Sequence, residues 1–390
     1  MRVLLVTNVR PVPGGVGAYV DDLASGLSSS GHHAQVLSFF GVRDGFPVVP
    51  QNLTGAFALA FDNDLVVMLL YHLTKLVLRE RARRLLAAQR FDVIHCQDVS
   101  AFDAVYPLAR HTPVFLTIHG RLGETGIDTS HRSSAWLKRV FERDERTAFS
   151  RAALVFVLAD PAMEYVRSKA PEARVVRTEA LIDLAKWQAG LPFGLGPERM
   201  PRRPERAGGE CGTHLLAVSR LVSRKGIDHA IRAMALLPDS ACLTVAGSGP
   251  ELPGLKKLVR EMGLLHRVTF TGHIDHNQVS KLYLAADIVL VPSVTYEGVA
   301  EQAPVSILEA LASGTPVVAS GAEGLARLVE EAGILVPEQA PEAIAQAVKM
   351  LATDQELYRQ LAHRGLEAVR ERHDAPAVAR RLVEAYTSVR

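Results

Sequence analysis

The densest group of chemically capable residues lies late in the chain. Glu297-Gly298 is followed by Glu301-Gln302-Ala303-Pro304-Val305-Ser306-Ile307-Leu308-Glu309. Pro304 suits the first position of a helix, because its missing N–H would have no partner there. Val305 and Ser306 then present first-turn amides, a ready site for an anion. Glu301 stands just ahead of that helix. Glu309 stands inside it, in an apolar stretch where a carboxylate is costly without a partner. A ribose diol is a natural partner. An incidental Glu on a partly exposed helix is the plainer alternative, and the apolar run around Glu309 weighs against it.

Three further loops carry suitable side chains. Ser219-Arg220-Leu221-Val222-Ser223-Arg224-Lys225-Gly226 places cations between an apolar run and a helical stretch. In a cleft, Arg220 and Lys225 would neutralise a diphosphate leaving group; without context, ordinary surface charge explains them as well. Pro11 to Gly17 holds Gly14 and Gly15, which let backbone approach a phosphate or sugar closely ahead of a helix. A tight structural turn fits that pair equally. His119, in Thr117-Ile118-His119-Gly120, ends an apolar run and has the chemistry to bond a sugar hydroxyl, although a lone His is more often structural.

Chains of this kind position such loops by alternating strands and helices. Val3 to Thr7 reads as a buried strand, Gly17 to Ser30 as a helix stopped by Gly31, and Ala34 to Phe39 as the next strand. Val93 to His95, Val114 to Ile118 and Leu154 to Leu158 complete the first sheet. The phrase recurs at Leu215 to Ser219, Ile227 to Leu237 and Ala241 to Ala246, followed by Gly247-Ser248-Gly249. Later strands are Val268 to Thr271, Ile288 to Val291 and Pro316 to Ala319. The expectation is an α/β protein of two Rossmann-like domains, with parallel sheets facing an interdomain cleft. The predicted divisions are 1–190, a Gly/Pro/Arg-rich linker at 191–212, 213–375, and a C-terminal helix at 376–390 that packs back on the first domain.

The bulk numbers bound the function. At 390 residues, two cores are expected. A formal charge of +2 gives no reason to expect a nucleic-acid partner. Cys96, Cys211 and Cys242 lack metal-ligand spacing and read as thiols in a reducing compartment. The start, Met1 to Thr7, is too short for a signal peptide's apolar region and runs into a Gly/Pro loop, and no stretch approaches the ~20 apolar residues of a membrane helix, so a cytoplasmic protein is expected. Asp62-Asn63-Asp64 matches a short acidic metal-binding pattern, but without the right surroundings. Lys75 to Arg90 has the pattern of a basic amphipathic helix, for which a solvated face is the better reading than a membrane contact.

Taken together, these motifs resemble the family 4 retaining glycosyltransferases of the GT-B fold over nearly the whole chain. The matches fall in family order: Gly14-Gly15, Gly31-His32, Thr117 to Gly120, Ser219-Arg220 with Lys225-Gly226, Gly247 to Pro250, Gly272, Ala286-Asp287, and Glu301 through Glu309. Glu301 and Glu309, with seven residues between them, match the signature of that family. Two departures stand out. Gln302 follows Glu301 where the family usually has Gly, and Ser320 to Leu325 lacks the usual Gly-Gly…Pro-Glu form.

The resemblance implies roles. Arg220 and Lys225 would hold the donor diphosphate, with Gly14, Gly15 and Gly249 near it. Val305 and Ser306 would hold phosphate, Glu309 the ribose, and Glu301 the transferred sugar. His273 and Ile274 would lie near the nucleobase, and His119 near the sugar or acceptor. It further implies transfer with retention of a hexose or aminohexose, with no bound metal or other cofactor. Family frequency points to UDP over GDP. Glu124, Asp128 and His131 would line the acceptor side, suiting a small polar acceptor such as an aminocyclitol of a natural product. Alternatives are a membrane-associated transferase for a lipid or cell-surface glycan, a sugar-nucleotide epimerase, and a non-catalytic sugar-nucleotide-binding protein.

Overall fold

The computed structural model describes residues 1–8, 15–39, 64–120, 135–189, 212–274, 276–295, 304–320 and 326–389. Apolar runs and helical stretches alternate there as two parallel sheets of six strands each. The first is built from β1 (Arg2–Thr7), β2 (His33–Ser38), β3 (Val93–Cys96), β4 (Val114–Ile118), β5 (Val155–Val157) and β6 (Val175–Arg177). Its helices are α1 (Gly15–Ser29), α2 (Asp64–Ala88), α3 (Val99–Val105), α4 (Ala135–Arg151) and α5 (Asp160–Lys169).

After α6 (Leu184–Ala189) the pattern starts again with β7 (Thr213–Val218), α7 (Ile227–Met234), β8 (Ala241–Ala246), α8 (Leu252–Glu261), β9 (Val268–Gly272) and α9 (His276–Ala285). It continues through β10 (Ile288–Pro292), α10 (Val305–Ala312), β11 (Val317–Ser320), α11 (Ala326–Ala332) and β12 (Gly333–Leu335). Three helices close the chain: α12 (Pro341–Thr353), α13 (Gln355–Ala368) and α14 (Ala375–Ser388).

The strands β1, β3, β4, β5, β10 and β11 are near-continuous runs of buried, mostly apolar residues because helices cover both faces of a parallel sheet. In β1, Val3 to Val6 are wholly buried. The strand orders are β2-β1-β3-β4-β5-β6 and β12-β11-β10-β7-β8-β9. Two outer strands, β6 and β12, escape the sequence reading. Each is only three residues long and largely unburied, too short a run to stand out as a strand.

The chain divides into Met1–Glu179 with Ala375–Arg390, and Ala180–Asp374. The first division therefore falls at Glu179 rather than at 190. The reason is local pairing: Ile182 bridges Asp374, its N–H donates to the His373 carbonyl at 2.9 Å, and His373 Nδ1 donates to the Ala180 carbonyl at 2.7 Å. In the first unit α14 packs on α1. The contact is so close that a Cβ on Gly26 would lie 2.4 Å from the Ala375 carbonyl oxygen. Tyr386, buried on α14, bonds His95 Nδ1 at 2.6 Å, and His95 Nε2 bonds Thr117 Oγ1 at 2.7 Å.

Two expectations change. Lys75 to Arg90 is not a uniformly solvated basic face. Lys75 turns inward to Asp103 (2.8 Å) and Asp144 (3.0 Å), and buried Arg81 donates to the Ser38 and Phe39 carbonyls. Among the cysteines, Cys96 is a buried free thiol, but Cys242 is disulfide-bonded and so does not fit the thiol reading.

His95 gives a pH prediction. Burial, with a smaller contribution from His119, pushes its pKa down to about 3. An unfolded histidine takes its proton near 6.5. Between those values the unfolded chain binds more protons, so stability is full above about 6.5 and is lost as pH falls toward 3. The shift corresponds to roughly 3–5 kcal/mol. The Tm is expected to fall steadily from pH 6.5 to 4, with a shallower slope in His95→Gln. A flat profile would contradict the neutral buried imidazole.

Candidate functional site

In the second unit the strand order reverses between β7 and β10. Loops leaving the carboxyl ends of those neighbours diverge, which opens a crevice for a ligand. The loop after β7 runs through Ser219, Arg220, Leu221 and Val222 into a 3-10 turn, Ser223–Lys225. Leu221 is buried; its N–H donates to the Ser248 carbonyl at 2.9 Å, and its carbonyl accepts the Glu251 N–H at 3.1 Å. The Arg224 carbonyl accepts the Val294 N–H at 2.8 Å, which ties the loop to the segment after β10. From this fixed backbone Arg220 is exposed and Lys225 half-buried.

Glycines permit the close approach. A Cβ on Gly247 would sit 1.8 Å from the Ser219 carbonyl oxygen, and one on Gly249 would sit 2.2 Å from that of Leu221. Gly226 ends the turn in the left-handed region, at φ 58, with its missing Cβ 1.9 Å from the Pro292 carbonyl oxygen. After β9, His273 is exposed and Ile274 packs on the core.

Helix α10 starts one residue later than the sequence reading has it. Pro304 is extended, at φ −65 and ψ 111, and stands at the cap; Val305 is the first helical residue. Val305 and Ser306 are half-buried in the first turn. Glu309 is buried on the same helix, and Tyr283 of α9 is one partner that the protein itself supplies. The Tyr283 O–H donates to Glu309 Oε2 at 2.8 Å. Burial, then the carboxylate charge, hold this phenol well above its ordinary pKa, so it remains a donor.

In the first unit His119 follows β4. Its Nε2–H donates to Gln97 Oε1 at 3.0 Å, and its ring meets the Tyr19 ring edge-on at 4.7 Å. Burial pushes its pKa down to about 4, so at neutral pH the imidazole is uncharged and its Nδ1 is left as an acceptor. Gly15, at φ 60, opens α1. Gly14, Glu301, Glu124, Asp128 and His131, with Asp62 and Asn63, lie outside the described residues. Sequence reasoning missed Tyr283, Gln97 and Tyr19. Each acts through a partner distant in sequence, for which no local pattern exists.

The arrangement offers cations and first-turn amides on loops from two adjacent strands, with a buried carboxylate behind them. Models of known families match both halves of the chain. Residues 14–179 match the glycosyl transferase 4-like domain, and residues 210–368 match glycosyl transferases group 1. The chain is 30% identical to an alpha-D-kanosaminyltransferase of Streptomyces kanamyceticus, over 80% of each chain. The chain belongs to the family 4 glycosyltransferases.

This glycosyltransferase is also 28% identical to an uncharacterised glycosyltransferase of Methanocaldococcus jannaschii, over 99% of this chain and 98% of that one. Its fold matches Anabaena HepE, solved with UDP-glucose, at TM-score 0.71 and 19% identity over 99% of each chain. Its fold is thus the GT-B architecture of two Rossmann-like units, and its family membership makes it a sugar-nucleotide-dependent transferase. Among its described residues no group of three or more His, Cys, Asp or Glu is arranged to hold a metal ion, and no helix is long and apolar enough to cross a membrane.

Proposed function

We propose that the enzyme is a cytoplasmic, metal-independent retaining transferase that moves a hexose or aminohexose from a UDP-sugar to a hydroxyl of a small polar acceptor. The observation that carries this reading is the fixed loop bearing Arg220 and Lys225 where the strand order reverses. The acceptor oxygen attacks the anomeric carbon on the face that the diphosphate leaves. One C–O bond forms as the other breaks, and a departing phosphate oxygen takes the acceptor proton. Arg220, Lys225 and the amides of Val305 and Ser306 stabilise the charge that develops on the diphosphate, with Gly249 near it. Glu309, oriented by Tyr283, binds the ribose, and His273 and Ile274 flank the base. Glu301 contacts the transferred sugar.

Neutral His119 would accept a bond from a sugar or acceptor hydroxyl through Nδ1. The acceptor lies by Glu124, Asp128 and His131, and an aminocyclitol suits such acidic lining. The likeness to a kanosaminyltransferase supports an amino-sugar chemistry. The test is to incubate the enzyme with UDP-glucose or a UDP-aminohexose and an aminocyclitol, with and without EDTA. Proton NMR then reads the product's anomeric configuration. The expected product keeps the donor's configuration in both conditions. Donor consumed equally without acceptor would point to an epimerase, and loss of product with EDTA would exclude the metal-independent mechanism.

A further inference from the structure

The outer face of α2 plays no part in the chemistry above. Leu65, Leu69, Leu73 and Leu76 are 70%, 67%, 45% and 61% exposed. Spaced four, four and three apart, they form one stripe on one side of the helix, about 17 Å long. Single exposed leucines are ordinary, but an apolar stripe is not. The same outward side continues as Arg79, Arg83 and Arg84, with Glu80 as the intervening acid.

Helix α4 runs alongside. Val67, Leu137 and Phe141 pack together, and Tyr71 meets Phe141 at 5.2 Å. The exposed residues of α4 include Trp136, at 41%, with Lys138, Arg139, Arg143 and Arg146, and one acid, Glu142, which pairs with Lys169 at 3.0 Å. Several acids nearby face inward: Asp103 and Asp144 bind Lys75, and buried Glu145 accepts from Tyr165. Leucines and a tryptophan are thus turned outward among cations, while much of the balancing negative charge is turned in.

We propose that this face seats the enzyme on an anionic lipid surface. The leucines and Trp136 would enter the headgroup–acyl boundary, and the arginines and lysines would meet anionic headgroups. Charge selects this occupant over a second copy of the chain. A two-fold contact through the same patch would set like cations against each other, whereas an anionic bilayer neutralises them. The helix lies on such a surface and does not span it. The inference is independent of which donor or acceptor the enzyme uses.

The test is flotation of the whole protein with vesicles of phosphatidylcholine alone, or of equal parts phosphatidylcholine and phosphatidylglycerol. Three proteins are compared: wild type, Leu65→Gln/Leu69→Gln/Leu73→Gln, and Lys138→Gln/Arg139→Gln. Wild type is expected to float with the anionic vesicles only, and less at high salt. The leucine variant is expected to lose binding at least about tenfold with unchanged Tm, and the cation variant to bind weakly. Four results would overturn the proposal: no flotation of wild type with anionic vesicles; equal flotation of the leucine variant; a lowered Tm in that variant, which would mean the leucines are packed inside the molecule; or a wild-type dimer that the variant splits.

Discussion

Arg220→Ala is expected to lower turnover about 10²–10³-fold and to leave the fold intact. Arg220 is exposed, so its loss costs little packing. Its loop backbone is nonetheless fixed, through Leu221 to the Ser248 carbonyl and through the Arg224 carbonyl to Val294. A cation on a preorganised backbone stabilises leaving-group charge with no reorganisation at the moment of reaction. That charge is larger in the transition state than in the bound donor, so kcat should fall more than KM rises. Arg220→Lys should recover part of the loss. It keeps the charge and loses the planar fork that meets two phosphate oxygens at once. Near-normal turnover in Arg220→Ala would remove this residue from the donor site.

Gly226→Ala is the second large effect, and it acts on the fold first. The added Cβ would lie 1.9 Å from the Pro292 carbonyl oxygen, which is backbone at the end of a central strand and cannot swing aside. The residue also holds φ 58, where an alanine costs roughly 1–2 kcal/mol. With the overlap, a total of about 3 kcal/mol is expected. For a unit of this size that is a fall in Tm of roughly 6–12 °C. Turnover should fall too, because the turn that must shift is the one carrying Lys225. Gly254→Ala is the control, since nothing lies within 4 Å of a Cβ there. Equal melting of both variants would contradict the tight packing of this turn.

How far the sequence discloses this enzyme depends on the range of each interaction. Strand β1 was legible as Val3 to Thr7 and begins one residue earlier, because a buried parallel strand is an unbroken apolar run. The Arg220–Lys225 loop was legible because a strand, a cationic loop and a helix follow one another along the chain. The helix expected over Ile227 to Leu237 ends sooner, at Met234. The apolar run around Glu309 points to a ribose as a partner but not to Tyr283, which lies 26 residues away on another helix and leaves no local mark. The character of α2 was hidden for the same reason. Composition sees arginines and a lysine, whereas Asp103, Asp144 and the carbonyls of Ser38 and Phe39 decide which of them face inward. Once Lys75 and Arg81 are withdrawn, the leucines remain as the outer face.

The proposed donor site in the second unit takes a nucleoside diphosphate without a metal. The most direct test is the thermal shift of the purified enzyme with UDP, GDP, ADP and dTDP, each with and without EDTA. A ligand at ~100 times its Kd stabilises the folded state by roughly 2.7 kcal/mol, which a melting curve resolves. UDP is expected to raise the Tm most, EDTA to leave the shift unchanged, and Arg220→Ala to reduce it. No shift with any of the four nucleotides, or a shift that EDTA abolishes, would contradict a metal-independent donor site.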